Sequence, residues 1–158
     1  MIPIPPTKDC FVCGRLNPSG IGLRMRTDGA VVEADYTPRA EHSGFAGVIH
    51  GGIVSTVLDE VMAWAVIAGG RRMAYCAELT VRFHQPVRPG SNLIARARIT
   101  NQRRAKFFET SSELSVASGE VLASATAKYF AVPEADGAAF AADFDGSFQE
   151  LERKLDRL

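Results

Sequence analysis

The chain has no surplus of either charge: 18 Lys and Arg stand against 18 Asp and Glu in 158 residues. A protein that grips nucleic acid by bulk electrostatics needs a clear basic excess, so that class is excluded. Cysteine is scarce and odd in number, three in all. That rules out a full disulfide framework and gives the expectation of a reduced, cytoplasmic chain. Residues 1–7 read Met-Ile-Pro-Ile-Pro-Pro-Thr, without the apolar run of a secretory leader. The longest apolar stretch, Gly51–Gly70, is broken by the adjacent charges Asp59 and Glu60. Two carboxylates at the centre of a membrane span are rare, so a buried helix of a protein with no membrane role is expected there.

What is present suits a packed core: 46% of the residues are hydrophobic, which places the chain outside the disordered class. One domain over residues 1–158 is the natural reading at this length. Residues 21–26 alternate apolar and polar as a half-buried strand does, Asp28-Gly29 signals a hairpin, and residues 30–36 return as a second strand. A glycine-rich loop over 41–52 leads into the apolar helix, which is predicted to end near Gly69-Gly70 with glycine in the left-handed cap position.

Beyond the helix the period changes to two. Tyr75, Ala77, Leu79, Val81 and Phe83 share one strand face, with Cys76, Glu78, Thr80, Arg82 and His84 on the other. Pro86 and Pro89-Gly90 close that strand, and further strands are predicted over 92–102, 105–116 and 121–132, the last two joined by a turn at Ser118-Gly119. Phe148, Leu151, Leu155 and Leu158 recur at helical spacing, predicting an amphipathic tail helix from about 147 to 158, with a frayed terminus as the alternative. A helix apolar all round must be covered on every side. One antiparallel sheet wrapped around it, an α+β architecture, would do this.

The chemistry concentrates in Gly47-Val-Ile-His50-Gly51-Gly52 and the helix that follows. Glycines at the start of a buried helix leave backbone N–H groups uncovered at the positive end of the helix dipole, where an anion or a developing oxyanion can bind. Asp59 and Glu60 lie two turns further on, and a carboxylate in an apolar helix pays a desolvation penalty that packing alone does not repay. Each feature taken singly has a bland alternative. His50 could be a plain cap, the glycines a tight turn, and Asp59 or Glu60 half of an ion pair with Arg71 or Arg82. Together they favour a site. Gly51 and Asp59 are eight residues apart, hence about 12 Å along the helix axis. One helix cannot bring both to one carbonyl, but a second copy running antiparallel across a two-fold axis can. A homodimer, or a dimer of dimers, is therefore expected.

A helix wrapped by antiparallel strands, with His50-Gly51-Gly52 followed by Asp59 after six intervening residues, resembles the hotdog-fold acyl-CoA thioesterases of the 4-hydroxybenzoyl-CoA and phenylacetyl-CoA branch. Cys10-Phe-Val-Cys13-Gly14, with Asn17-Pro18 and Gly20, resembles a subgroup of that superfamily. The similarity spans residues 10–133. It implies the hotdog fold and hydrolysis of a small or medium acyl-CoA thioester to free acid and CoA. It further implies that the Gly51 N–H polarises the carbonyl and that His50 braces the turn or positions the acyl group. Asp59 would act as general base or as nucleophile, and His42 would touch the carbonyl or the water. Gly52 and Glu60 would border the substrate. Cys76 falls where relatives orient the water with Ser or Thr, although a thiol is a weaker donor. Arg103, Arg104 and Lys106 form a basic cluster at a strand turn that would suit CoA phosphates, or simply a solvated hairpin end.

Phe45, Met62, Trp64 and Phe107 could line an acyl pocket or be plain core. No metal or separate cofactor is expected, with CoA entering only as part of the substrate. Cys10-x-x-Cys13 supplies two of the four ligands of a structural zinc site, and the preferred reading is two semi-buried thiols flanking a turn. A hotdog dehydratase or hydratase is an alternative that would add water to an enoyl-CoA. A non-catalytic acyl-CoA-binding protein would bind CoA esters without cleaving them.

Overall fold

A computed structural model of the chain describes residues 1–144 and 147–158. Among these, the main sheet has seven strands in the order β1-β2-β3-β7-β8-β9-β6, every neighbouring pair antiparallel. The strands are β1 (Ile2–Pro3), β2 (Arg24–Thr27), β3 (Val31–Tyr36), β6 (Ala74–Phe83), β7 (Leu93–Arg103), β8 (Phe107–Val116) and β9 (Val121–Ala131). A small second sheet pairs β4 (Ser43–Phe45) with β5 (Val48–Ile49), inside what the sequence presents as a glycine-rich loop. One long helix, α1 (Gly51–Gly70), packs against β3, β6, β7, β8 and β9. This is the hotdog fold: an antiparallel sheet curled around a central helix.

The apolar periodicity and the burial agree where it matters. Val54, Val57, Leu58, Val61, Met62, Trp64, Ala65, Val66 and Ala68 of α1 are buried against Ala95, Ala97, Phe108, Leu114, Ala123, Ala125 and Ala127 of the sheet. The alanines of β7 and β9 keep the sheet face shallow, so the helix can lie close to it. Coverage on every side does not follow, however. Gly52, Thr56, Asp59 and Ala63, one stripe at i, i+4, i+7 and i+11, remain exposed or only half-buried.

Several boundaries shift for local reasons. Residues 21–23 are not part of β2, because Ile21 and Leu23 donate their N–H groups to Phe11 and Val12 carbonyls. Gly69 and Gly70 lie within α1, and the left-handed cap is Arg71, at φ 55° and ψ 35°. These two glycines serve close approach: a Cβ on Gly69 would sit 2.9 Å from the Gly29 carbonyl oxygen, and one on Gly70 would sit 2.6 Å from the Phe108 ring. Strand β8 begins at Phe107 because Arg104 and Ala105 form the turn, both with positive φ (53° and 49°).

That turn is of the left-handed hairpin kind that favours Asn-Gly, and the chain fills it with Arg-Ala. Ala105→Gly is therefore expected to raise stability by about 0.5–1 kcal/mol, relief of the positive φ outweighing the extra freedom of the unfolded chain. A thermal or denaturant melt reads this directly, and a lowered midpoint would contradict it.

The helix α2 (Glu134–Ala141) carries no apolar period that announces it. The tail helix α3 (Ser147–Leu155) is there, burying Phe148, Leu151 and Leu155 but leaving Leu158 72% exposed beyond its end. Phe144 joins it to the core, edge-on to Trp64 at 5.5 Å and beside Phe148 at 5.1 Å.

Candidate active site

The β4–β5 hairpin delivers the chain to the start of α1. His50 is the N-cap residue, and its Nδ1 accepts a hydrogen bond from the Gly52 N–H at 2.9 Å. Its backbone carbonyl accepts from Ile53 and Val54, and its backbone N–H donates to the His42 carbonyl at 2.9 Å. Among the described residues nothing accepts from the Gly51 N–H, the orphan donor that a helix start leaves. With Nδ1 engaged as acceptor, a ring proton of His50 belongs on Nε2.

Both glycines are closely approached by side chains. A Cβ on Gly52 would lie 2.9 Å from His50 Nδ1, and one on Gly51 would lie 3.2 Å from the Phe83 ring. Gly51 borders a cleft of about 450 Å³ lined chiefly by Phe45, Val48, Val54, Phe83, Pro86 and Val87. The walls are apolar and the donor sits at the end of a helix dipole, so a carbonyl oxygen acquiring negative charge is stabilised there.

His42, expected to touch the carbonyl or the water, is not among the residues lining this cleft. It is 8% exposed, its Nε2 lies 3.1 Å from the Arg39 guanidinium, and its Nδ1 is buried without a partner. Facing a permanent donor, Nε2 must accept, which leaves the proton on Nδ1. Burial and the neighbouring Arg39 charge both hold the His42 pKa below the usual histidine value.

Asp59 occupies the middle of α1. Its Oδ1 accepts a hydrogen bond from the Tyr129 phenol on β9 at 2.6 Å, and the same hydroxyl lies 3.1 Å from the Asp59 carbonyl oxygen. Tyr129 is 1% exposed; burial, then the Asp59 charge, pushes its pKa well above the tyrosine range. The phenol is thus a fixed donor that sets the direction of the carboxylate. Cys76 on β6 adjoins the pair, and burial, then the Asp59 charge, pushes its thiol up to about 11. It stays a neutral thiol at ordinary pH. The carboxylate is tied to a phenol rather than to Arg71 or Arg82: Arg71 pairs instead with Asp156 at 2.6 Å.

The other expected residues lie elsewhere. Glu60 turns away from the Asp59 side: its carboxylate faces Cys10 Sγ at 3.8 Å and accepts from the Trp64 Nε1–H at 3.2 Å. Burial, then the Cys10 charge, pushes it up to about 7. Arg103, Arg104 and Lys106 lie beside Phe107, at the end of the sheet where Phe108 meets Gly70. Within one protomer they are the length of α1 away from Gly51, about 30 Å. Met62 and Trp64 are core, at 0% and 3% exposure, and Phe107 pairs with Phe130, so only Phe45 of the four expected pocket residues lines the cleft.

Two contributors escape the sequence reading, Tyr129 and Phe83. Phe83 carried a weak signal as the last residue of an alternating strand. Tyr129 carried none, since nothing local links it to a residue 70 positions earlier.

Comparison with known proteins agrees with this architecture. Residues 46–110 match the thioesterase superfamily, the segment running from just before the helix start to the middle of β8. A phenylacetic acid degradation-related protein from Ralstonia eutropha JMP134 is 27% identical, with a TM-score of 0.62 over 70% of this chain and 85% of its own. PaaI from the phenylacetic acid degradation operon of E. coli is 20% identical, with a TM-score of 0.65 over 72% of this chain and 81% of its own. A protein of Streptococcus mutans UA159 solved bound to acetyl-CoA is 17% identical, with a TM-score of 0.65 over 70% of this chain and 88% of its own. The chain spans 63% of a longer thioesterase superfamily protein, at a TM-score of 0.69. No curated protein sequence matches. The likenesses under 25% identity speak to the fold, and the resemblance to the hotdog-fold thioesterases stands.

Proposed function

We propose that this hotdog chain of thioesterase type is an acyl-CoA thioesterase, cleaving a small or medium acyl-CoA to the free acid and CoA at a site shared between two copies. The observation that carries this reading is the pairing of an unpartnered Gly51 N–H in an apolar cleft with a carboxylate, Asp59, aimed by a buried phenol. The thioester carbonyl oxygen would accept from Gly51 as it gains charge. Asp59 of the other copy would take the proton of the attacking water, or add to the carbonyl itself. In either case CoA leaves as the thiolate once the tetrahedral intermediate collapses; where Asp59 itself has added, water then hydrolyses the acyl–Asp59 anhydride, releasing the free acid and restoring the carboxylate.

Distance and exposure both support a second copy. Asp59 lies about 12 Å along the helix from Gly51. The half-open stripe of Gly52, Thr56, Asp59 and Ala63 suits an antiparallel helix crossing. Among the described residues β6 pairs only with β9, leaving its other edge free along ten residues. Tyr75 and Phe83 on that strand are 59% and 54% exposed. A long unpaired edge with apolar side chains calls for a partner, and pairing β6 with its symmetry mate would bring the two helices together. The same antiparallel arrangement would carry the Arg103–Lys106 turn of one copy toward the cleft of the other, where its charges suit the CoA phosphates.

The acyl group is set by the cleft walls, and their aliphatic and aromatic lining favours an apolar acyl chain or ring over a charged one. The acetyl-CoA bound by the Streptococcus mutans protein makes a CoA ester the first substrate to offer. Incubation with acetyl-, hexanoyl-, benzoyl- and phenylacetyl-CoA, with capture of the released thiol, is expected to show turnover of at least one. Binding without cleavage across the series would favour a non-catalytic acyl-CoA carrier. Water addition to an enoyl-CoA would favour a hydratase.

A further inference from the structure

The proposed reaction uses neither cysteine of the Cys10-x-x-Cys13 turn, and it leaves Glu60 idle. We propose that Cys10, Cys13 and Glu60 form a binding site for a thiophilic divalent cation, zinc above all, that pins the N-terminal turn to α1.

Cys10 Sγ, Cys13 Sγ and a Glu60 carboxylate oxygen all lie within 4.8 Å of one another. Cys10 Sγ is 3.8 Å from Glu60 Oε1 and 4.0 Å from Oε2. A tetrahedral zinc with Zn–S near 2.3 Å and Zn–O near 2.1 Å puts sulfur and oxygen ligands about 3.6 Å apart, and two sulfurs about 3.8 Å apart. The donors are thus within a few tenths of an ångström to about 1 Å of coordination spacing, and side-chain rotation covers the difference.

The surroundings are those of a ligand set. The Val12 N–H donates to Cys10 Sγ at 3.2 Å, which favours the thiolate a metal needs. The turn itself closes tightly: the Gly14 N–H donates to the Cys10 carbonyl at 2.9 Å, and a Cβ on Gly14 would lie 2.4 Å from that oxygen. Trp64 Nε1–H donates to Glu60 Oε1 at 3.2 Å, fixing the carboxylate and leaving Oε2 to ligate, as outer partners of metal ligands do. Thr7 Oγ1, 3.6 Å from Cys13 Sγ, borders the fourth position, which solvent can complete.

The Cys10 thiol is within donating reach of Glu60, but that one contact does not require the second sulfur, Cys13, to lie within 4.8 Å of both. Two sulfurs and a carboxylate oxygen converging on one point form the donor set of a thiophilic cation. The sequence offered two ligands, and the third comes from a helix some fifty residues on. This inference does not depend on the hydrolytic reading, since no step of the reaction passes through the site.

The test uses the untagged full chain, purified reduced, dialysed against Zn²⁺ or Co²⁺ and then freed of excess metal. Elemental analysis is expected to give about one metal per chain, and the cobalt form a thiolate charge-transfer band in the near ultraviolet. Cys10→Ser with Cys13→Ser should fall to roughly a tenth of that occupancy, and Glu60→Gln should bind at least about tenfold more weakly. The cobalt spectrum of the unaltered chain keeps the test valid if a variant fails to fold. A reduced chain that takes up neither ion overturns the proposal, as does one whose only response is a Cys10–Cys13 disulfide. Binding unchanged in Glu60→Gln would remove Glu60 from the site and overturn the three-ligand assignment.

Discussion

Asp59→Asn is expected to lower kcat by about 10² to 10⁴-fold against whichever acyl-CoA turns over, the range that a positioned acid–base group contributes. The amide oxygen can still accept from the Tyr129 phenol, which reaches the present carboxylate at 2.6 Å, so fold and assembly should persist. What is lost is the charge that abstracts a proton or attacks the carbonyl. KM should stay within a fewfold, because the cleft at Gly51 is lined by residues other than 59. Steady-state hydrolysis with thiol capture, beside circular dichroism and size-exclusion profiles of both proteins, gives the answer. Turnover within threefold of the unaltered chain would mean that the carboxylate is not the reacting group.

Leu79→Glu should abolish activity by a different route. Leu79 lies on β6, the free edge strand, and is 36% exposed in the single chain. A carboxylate placed on that edge would be buried without a partner in each copy of a β6-paired dimer. Losing an interface anchor of this kind raises a dissociation constant about 30-fold or more, roughly 2 kcal/mol. The expected product is a folded monomer with kcat/KM lowered at least about 100-fold, since Gly51 and Asp59 of one chain are about 12 Å apart along the helix. Sedimentation at graded concentration paired with the hydrolysis assay reads both quantities. A monomer that retains full activity would show that one chain completes the site by itself.

The two substitutions fail in distinguishable ways. The first leaves the assembly intact and removes chemistry, whereas the second leaves every catalytic group in place and removes their meeting.

Much of this is legible in the residues alone. The period-two alternation of residues 75–83 and the apolar run closed by His50-Gly51-Gly52 are local patterns, and local patterns fix local structure. Asp28-Gly29 gave its hairpin for the same reason: Gly29 takes φ 89° while Asp28 Oδ1 accepts from Ala30 and Val31. The failures are equally physical. Gly69 and Gly70 read as a cap because glycine favours the left-handed region, yet their real constraint is the Gly29 carbonyl and the Phe108 ring, which reach α1 from distant parts of the chain. The basic cluster at Arg103, Arg104 and Lys106 could be placed on a turn, but not at one end of the helix.

The sequence by itself determined the elements and the helix start with its uncovered amide, and it raised the expectation of a second copy, since rise per residue converts a spacing into a distance. Only the tertiary structure decided which side chains those elements bring together. The sheet order sets β9 beside β6 and over the middle of α1, so that Tyr129 meets Asp59, and the N-terminal turn folds back so that Cys10 and Cys13 meet Glu60. Neighbouring residues on a helix point about 100° apart, so Asp59 and Glu60 face different surroundings. Nothing local in the chain says which surroundings each will find.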